Sequence, residues 1–526
     1  MYASHGFLRS DIGDVDVLVH DGVFHLFHLV LPNHDFIAHA VSEDGLNWRR
    51  VKNALYVGEP GAWDDDMLWT MHVSPDPDRD GQWRMFYTGL SRREYGRVQR
   101  VGLATSPDLL EWTRVEGNGY PLEITGEHYE SSVDEGRKWV SFRDPFFYRD
   151  PDSGRRLLLS SARVNRGPLV RRGCVGVAEE TSPGHFEFRA PLHQPRLYDD
   201  VEVPNLFQID GRYFLLGSIR EDTKVHYWYA DQLEGPYLNF FDNVLLPKGN
   251  YAARICRQGD QILLFNFFAK REQHFGREIS KKLLPPPKQL VADNSGRLRL
   301  KSYAGFDQLV SEVCAVPSAD EWDRLFDNPL ATCASESADQ QVHLGCPSGY
   351  EAFMLPGEYE SFRLRSTIAL EGSGKCGMVL RVNDQGDGYY LSLDLLKGVA
   401  QLRAWGVSNV AETEFAFDYQ QLQAGYFVSR DDGPWAIEVL AHGMYLEVSI
   451  NGYVILSLVD DAFCEGRVGF YTESASIGLR SITVERLHPP QQEEPSGPIY
   501  TSAATQPLPD MSQPVLDPAE PPETSQ

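Results

Sequence analysis

The stretch VFHLFHLVLPNHDFIAHAVSEDGLNWRRV, residues 23–51, contains two runs rich in Val, Phe, Leu and Ile, joined by an Asn- and Asp-bearing turn and closed by a second turn ending at Trp48. Short β-prone runs bounded by Gly, Asp and Asn read as strands. The same pair returns as QWRMFYTG (82–89) and VGLATSPDLLEWTRV (101–115), where Trp112 takes the place of Trp48. Weaker copies follow. RRLLLSSAR (155–163) leads to CVGVAEETSPGHFEF (174–188), RYFLLGSIR (212–220) leads to VHYWYADQLEGPY (225–237), and QILLFNFFAK (261–270) is the fifth strand of this kind. Units repeating roughly every fifty to sixty residues, with no long amphipathic helix among them, have the size of four-stranded propeller blades. The expected fold is therefore all-β: a five-bladed β-propeller over residues 1–300, with inner strands converging on a central channel.

The chain has 526 residues, too many for one hydrophobic core, and a second domain is expected. Residues 341–488 are again β but lack the repeat. FRLRSTIAL, GYYLSLDLL, MYLEVSINGYVILSL and SITVERL alternate apolar and polar residues, as strands with one buried face do, and Asn451-Gly452 is a type I′ hairpin signal. A β-sandwich of concanavalin or jelly-roll type is expected there. Residues 301–340 are read as a connector in which DEWDRLF supplies a short helical turn. Residues 489–526 are read as a disordered tail, since ten of the 38 are proline.

Lys and Arg number 49 against 75 Asp and Glu, a net charge of −26, with six of the acids after Arg486. That balance argues against nucleic-acid backbones and anionic membranes as partners. The opening MYASHGFLRSDIGDVD has neither a basic start nor an apolar stretch, and no run of about eighteen apolar residues occurs, so neither a secretory signal nor a membrane span is expected. Seven scattered cysteines without CxxC spacing read as reduced thiols of a cytoplasmic protein, with no zinc site or disulfide frame. No cofactor or metal is expected, and the sequence leaves the oligomeric state open.

A propeller channel can bring together acids from separate blades, and glycosidic hydrolysis requires two carboxyl groups facing one bond. Three places offer them. In SDIGDVDVLVHDG, Asp11, Asp14 and Asp16 precede the first blade; Asp14 is favoured for the channel because it follows Gly13 and opens the apolar run, and Asp16 competes with the same strand parity. In FRDPFFY, Arg143 stands beside Asp144, where it would keep the acid ionised. In VEVPNLF, Glu202 is framed by Val, Pro and Leu, a setting expected to raise its pKa toward that of a general acid. Each of these acids, taken singly, is equally consistent with an ordinary turn or strand-edge residue.

In order and spacing, GDVDVLVHDGVFHLF, FRDPFFY and VEVPNLF resemble glycoside hydrolase family 32, the β-fructofuranosidases, through its Arg-Asp-Pro and Glu-Cys-Pro-Asp-Leu-Phe motifs. HAVSEDGLNW (39–48) is similar to a blade motif of the same family, and the resemblance covers roughly residues 8 to 270. It implies a retaining glycosidase acting on terminal β-fructofuranosides, in which Asp14 is the nucleophile, Glu202 the acid/base, and Asp144, with Arg143, the stabiliser of the transition state. It also implies a β-sandwich as second domain. GAWDDDMLWTMHV (61–73) aligns with the segment closing the family's sugar subsite, so Trp63, Asp66 and Trp69 are candidate sugar contacts, as is Asp16. Tryptophans also fill gaps between blades, and His39 reads as a structural blade residue.

The sequence departs from the family in three places. The family's Trp-Met-Asn-Asp-Pro-Asn-Gly is replaced by Asp-Ile-Gly-Asp-Val-Asp-Val, its Cys by Val203 and its Asp by Asn205. The first motif is also similar to family 43, the inverting furanosidases and xylosidases with the same propeller. An inverting arabinofuranosidase or xylosidase, and a propeller that binds carbohydrate without cleaving it, are the alternatives. In the second domain, RVNDQGDGYY (381–390) sets Arg381, Asn383, Asp384 and Asp387 in a polar loop that suits a sugar, Ca²⁺ or plain turn chemistry equally.

Overall fold

The run Val23–Leu31 is the second strand of an antiparallel blade whose innermost strand is Asp11–His20 and whose third is Phe36–Ser42. The computed structural model describes residues 2, 11–117, 119–274, 277–336, 341–406, 419–428 and 433–491. Four more blades follow, with innermost strands Met67–Pro75, Phe142–Arg149, Glu202–Ile209 and Asn250–Gln258. Each innermost strand packs against the next, and the fifth against the first, closing a ring. Tyr2 helps seal the closure by bridging to Leu284 and packing against Trp48, which in turn meets Phe265 of the fifth blade. Among the described residues the only helical segments are 3-10 turns of three to six residues.

Local chemistry explains the hairpins. Asp21-Gly22, Asp210-Gly211 and Asn451-Gly452 all have both residues at positive φ (50° and 80°, 51° and 76°, 51° and 78°), as a two-residue type I′ turn requires. In the SEDGLNW and SPDLLEW turns, Asp44 and Asp108 each accept two backbone N–H bonds, from Leu46 and Asn47 and from Leu110 and Glu111. These are structural hairpins.

One irregularity recurs in all five innermost strands. The pairing with the second strand slips between Ile12 and Val15, Trp69 and Met71, Arg143 and Phe146, Glu202 and Asn205, and Tyr251 and Arg254. Three of these bulges place a non-glycine residue in the left-handed region: Asp144 (φ 60°), Val203 (φ 50°) and Ala252 (φ 51°). A bulge re-aims the side chains around it. It also accommodates Pro145 and Pro204, which have no N–H for a ladder.

The second domain is a sandwich built around one long strand, Arg467–Leu487, which pairs with Gln341–Met354, Phe362–Glu371 and Lys375–Val382. Its core is one apolar cluster that includes Phe353, Leu364, Met378, Leu391, Val448 and Phe470. The segment expected to be a connector is largely part of this sheet: Val310–Cys314 pairs with the long strand, and Asp323–Arg324 and Thr332–Glu336 pair with Gln341–Met354. In DEWDRLF only the beginning is helical, as a 3-10 turn over Ala319–Glu321. The domains are joined by hydrogen bonds from Asn250 Nδ2 to Ser457 O (2.9 Å) and from Gln423 Nε2 to Lys248 O (2.8 Å), and by Phe306 stacked on Tyr445. Most of the expected disordered tail, from residue 492 on, lies outside the described residues, as do residues 3–10.

Candidate active site

Asp14, Asp144 and Glu202 all lie at the bulges of innermost strands, in blades 1, 3 and 4. Asp144 is buried, and its backbone N–H donates to Thr88 Oγ1 (3.1 Å) while its Oδ2 accepts from Val203 N (3.0 Å), the residue after Glu202. Burial raises the Asp144 carboxyl to about 6; Arg143, 3.6 Å away, opposes the rise, and the charges of Asp14 and Glu202 add to it. The Asp144 carboxyl thus senses the other two acids. Asp14 is only partly buried, and its Oδ2 accepts from the Thr70 hydroxyl at the bulge of blade 2.

Asp16 has other surroundings. It is 1% exposed, accepts from Val73 N (2.7 Å), lies 3.1 Å from His72 Nδ1 and is 3.8 Å from the guanidinium of Arg254. Arg254 is itself fully buried and donates to the carbonyls of Pro204 (2.7 Å) and Pro145 (2.8 Å). The two bulge prolines and Asp16 are thereby tied to one side chain, which locks four blades at the axis.

Glu202 differs from its expectation. Val201 and Val203 point into the core, but the bulge turns Glu202 the other way, and its side chain is 14% exposed. Its Oε1 accepts from Arg143 Nη2 and Arg220 Nη2, both at 2.5 Å, and its Oε2 accepts from the Tyr251 hydroxyl. Burial pushes the carboxyl up, but the two guanidiniums outweigh it, and the pKa lies below the usual glutamate value. The apolar frame in the sequence describes the neighbours' side chains, which face away from the Glu202 carboxylate. Arg143 is 3% exposed and also meets Ser141, Gln99 and Asp200. Asp200, 1% exposed, in turn accepts from Arg163 (2.7 Å) and Arg220 (2.9 Å).

Each of the predicted sugar contacts has surroundings of its own. Trp63 lies beneath Gly89 and Gly102, where an added Cβ would come within 2.4 Å of the ring, and stacks on Tyr87. Its surroundings are those of a packing residue between strands. Asp66 is a distant partner of Arg92 (3.9 Å) in the loop after Trp83–Leu90. Trp69 adjoins Thr70 and lies near His34, and its indole N–H is buried without an acceptor among the described residues. His39 stacks on Phe27 inside blade 1. Asn205 is fully buried, bonding Val203 O, Ala253 O and Ile255 N, so it joins blades 4 and 5 and makes no contact with Glu202.

In the sandwich, Arg381 is buried on the carbonyls of Glu360, Phe463 and Gly443, and Asn383 accepts the N–H groups of Gln385 and Asp387. Asp384 pairs with Arg467. The polar loop is accounted for by turn and packing contacts. Thr70, Arg220, Tyr251 and Asp200 are parts of the site that sequence reasoning did not single out. Tyr251, at the fifth bulge, occupies the place in its blade that Glu202 holds in blade 4, an equivalence that only the strand pairing reveals.

Chemically, the site holds a partly accessible carboxylate, a second ionised carboxylate between guanidiniums, and a third, buried carboxyl between them that is poised near pH 6. The chain is thus a five-bladed propeller joined to a β-sandwich, with Asp14, Asp144 and Glu202 brought near one another from three blades. Residues 14–244 match the model of the glycosyl hydrolases family 32 N-terminal domain.

Among sequence relatives, a cell-wall β-fructofuranosidase isozyme of Zea mays is 28% identical over 204 residues, 37% of this chain and 32% of that protein. An insoluble β-fructofuranosidase isoenzyme of Arabidopsis thaliana is 25% identical over 159 residues, 28% of this chain and 25% of that protein. The matches span only about a quarter to a third of the length of these plant relatives. Similar folds are found in fructan 1-exohydrolase IIa of Cichorium intybus (TM-score 0.64, 14% identity, 91% of this chain and 96% of that one) and in a Bombyx mori β-fructofuranosidase (TM-score 0.59, 15% identity, 91% of each).

Proposed function

We propose that the protein is a glycoside hydrolase that releases terminal β-fructofuranosyl units by a retaining two-carboxylate mechanism. The observation that carries this reading is the convergence of Asp14, Asp144 and Glu202 from three blades, with the Asp144 charge responding to both of the others. It is supported by the plant β-fructofuranosidases that match part of the propeller.

In this mechanism Asp14, a half-buried residue whose Oδ2 accepts from the Thr70 hydroxyl, attacks the anomeric C2 while Glu202 donates a proton to the departing oxygen. Water then takes the place of the leaving group, gives its proton to Glu202, and its oxygen displaces Asp14 from C2. Asp144 and Arg143 hold sugar hydroxyls, and the unpartnered indole N–H of Trp69 is a donor for one more. All seven cysteines are free, which is in keeping with action in a reducing compartment.

The test is a substrate panel of sucrose, levan, inulin and aryl arabinofuranosides with the parent, Asp14→Asn and Glu202→Gln proteins. Fructose release by the parent and a loss of roughly 10²–10⁴-fold in Glu202→Gln are expected. Arabinofuranoside cleavage alone would point to the inverting family 43 type, and binding without cleavage to a carbohydrate-binding propeller.

A further inference from the structure

Glu202 must hold a proton before it can give one to a leaving group, yet the resting site is built to keep it ionised. Every group facing the carboxylate favours or tolerates the charge except its acidic neighbours: Arg143 from blade 3, Arg220 from the turn after Arg212–Ile219, and Tyr251 from blade 5 stand on one side, with Asp200 and Asp144 on the other.

The two arginines are not equivalent. Arg143 is 4% exposed in its side chain and is fixed by Ser141, Gln99 and Asp200 as well as Glu202. Arg220 is 51% exposed, and its contacts with Glu202 Oε1 (2.5 Å) and Asp200 Oδ2 (2.9 Å) are both made through Nη2. One rotation about its side-chain bonds releases both. A leaving-group oxygen must come within about 2.6–3.2 Å of the Glu202 carboxyl to receive a proton from it. Oε2 faces the Tyr251 hydroxyl and Oε1 is shared with Arg143, so the exposed guanidinium is the one partner of Glu202 that an incoming molecule can push aside.

Resting on the hydrolase reading, we propose that Arg220 is a retractable counter-charge: it holds Glu202 as the carboxylate in the free protein and is displaced when the leaving-group sugar binds, after which Glu202 takes a proton from solvent water and passes it to the departing oxygen. Arg220 is thus a positioning residue that acts through Glu202. Its partner Asp200, held by buried Arg163, is the dock to which it returns.

Two measurements test this. In protein carrying ¹³C at glutamate Cδ, with the Glu202 resonance assigned by its absence in Glu202→Gln, the carboxyl is titrated in the parent, Arg220→Lys and Arg220→Gln proteins. Arg220→Gln is expected to raise the Glu202 midpoint by at least about half a pH unit, with Arg220→Lys in between. An unchanged midpoint in a folded Arg220→Gln overturns the proposal, and this readout needs no turnover, so it stands apart from the hydrolase reading. In the second measurement, the alkaline limb of kcat/KM, which reports loss of the Glu202 proton in the free protein, is expected to move up by the same amount in Arg220→Gln. A limb that stays in place while the NMR midpoint moves also overturns it, because Glu202 would then be held by Arg220 without consequence for proton donation.

Discussion

Asp14 and Asp16 stand two residues apart on one strand, and their surroundings separate their roles. Asp16 is the buried counter-charge of Arg254, whose guanidinium also holds the Pro145 and Pro204 carbonyls. Removing one member of a buried ion pair strands the other, at a cost of about 3–5 kcal/mol. Asp16→Ala is therefore expected to lose that much stability in denaturant unfolding. Asp14→Asn, which keeps an acceptor for Thr70, should change stability by less than about 1 kcal/mol while removing activity.

Asp144 gives a pH signature. Its folded pKa, about 6, lies above that of an unfolded aspartate, so the native state binds more protons than the unfolded one between about pH 4 and 6, and stability falls as pH rises through that window. Asp144→Asn removes this penalty. It is expected to be more stable than the parent by about 1–3 kcal/mol at pH 7 and to lose the advantage below about pH 4. Equal stability at both pH values would contradict the assigned burial. The sequence disclosed the acids but not their charge states: the apolar letters around Glu202 belong to side chains on the opposite side of the strand, and Arg220, eighteen residues on in sequence, sets its environment.

The recurring bulge is the structural element that makes a site out of a propeller. Five innermost strands slip at the same place, and at three of them the candidate acids turn toward the axis. The blade repeat was legible in the sequence because each unit carries its own strand runs and turn residues. The bulges were not, since they depend on pairing with a neighbour and leave no periodic trace.

The same limit applies to Trp63. Its aromatic character fits a sugar platform as well as a packing wedge, and only the closeness of Gly89 and Gly102 to its ring distinguishes them. Gly102→Ala would force a Cβ to 2.4 Å from the Trp63 ring. Overpacking of this kind costs about 1–3 kcal/mol, and Trp63→Ala, which opens a cavity, about 3–5 kcal/mol. Both variants are expected to lower the unfolding midpoint while leaving KM within about twofold of the parent. A large rise in KM with unchanged stability would return Trp63 to the sugar site.

At the scale of the whole molecule, the sandwich docks on the propeller through Asn250, Gln423 and the Phe306–Tyr445 stack, and its first strand begins at Val310, directly after the fifth blade and a short 3-10 turn. The alternation in residues 341–488 announced a sheet. The strands at 310–314, 323–324 and 332–336 were hidden because they are short and mostly exposed, and the partner of the first lies more than 160 residues along the chain, at Val484–Leu487. The propeller, in contrast, brings acids distant in sequence together by the repetition of its blades. The central claim is that these acids cleave a terminal fructofuranosyl bond through a covalent intermediate on Asp14. The most direct test is ¹H NMR of the sugar first released from a β-fructofuranoside, recorded before mutarotation. The account predicts β-fructofuranose, the retained anomer; first release of the α-anomer, which a single displacement by water would give, would contradict it.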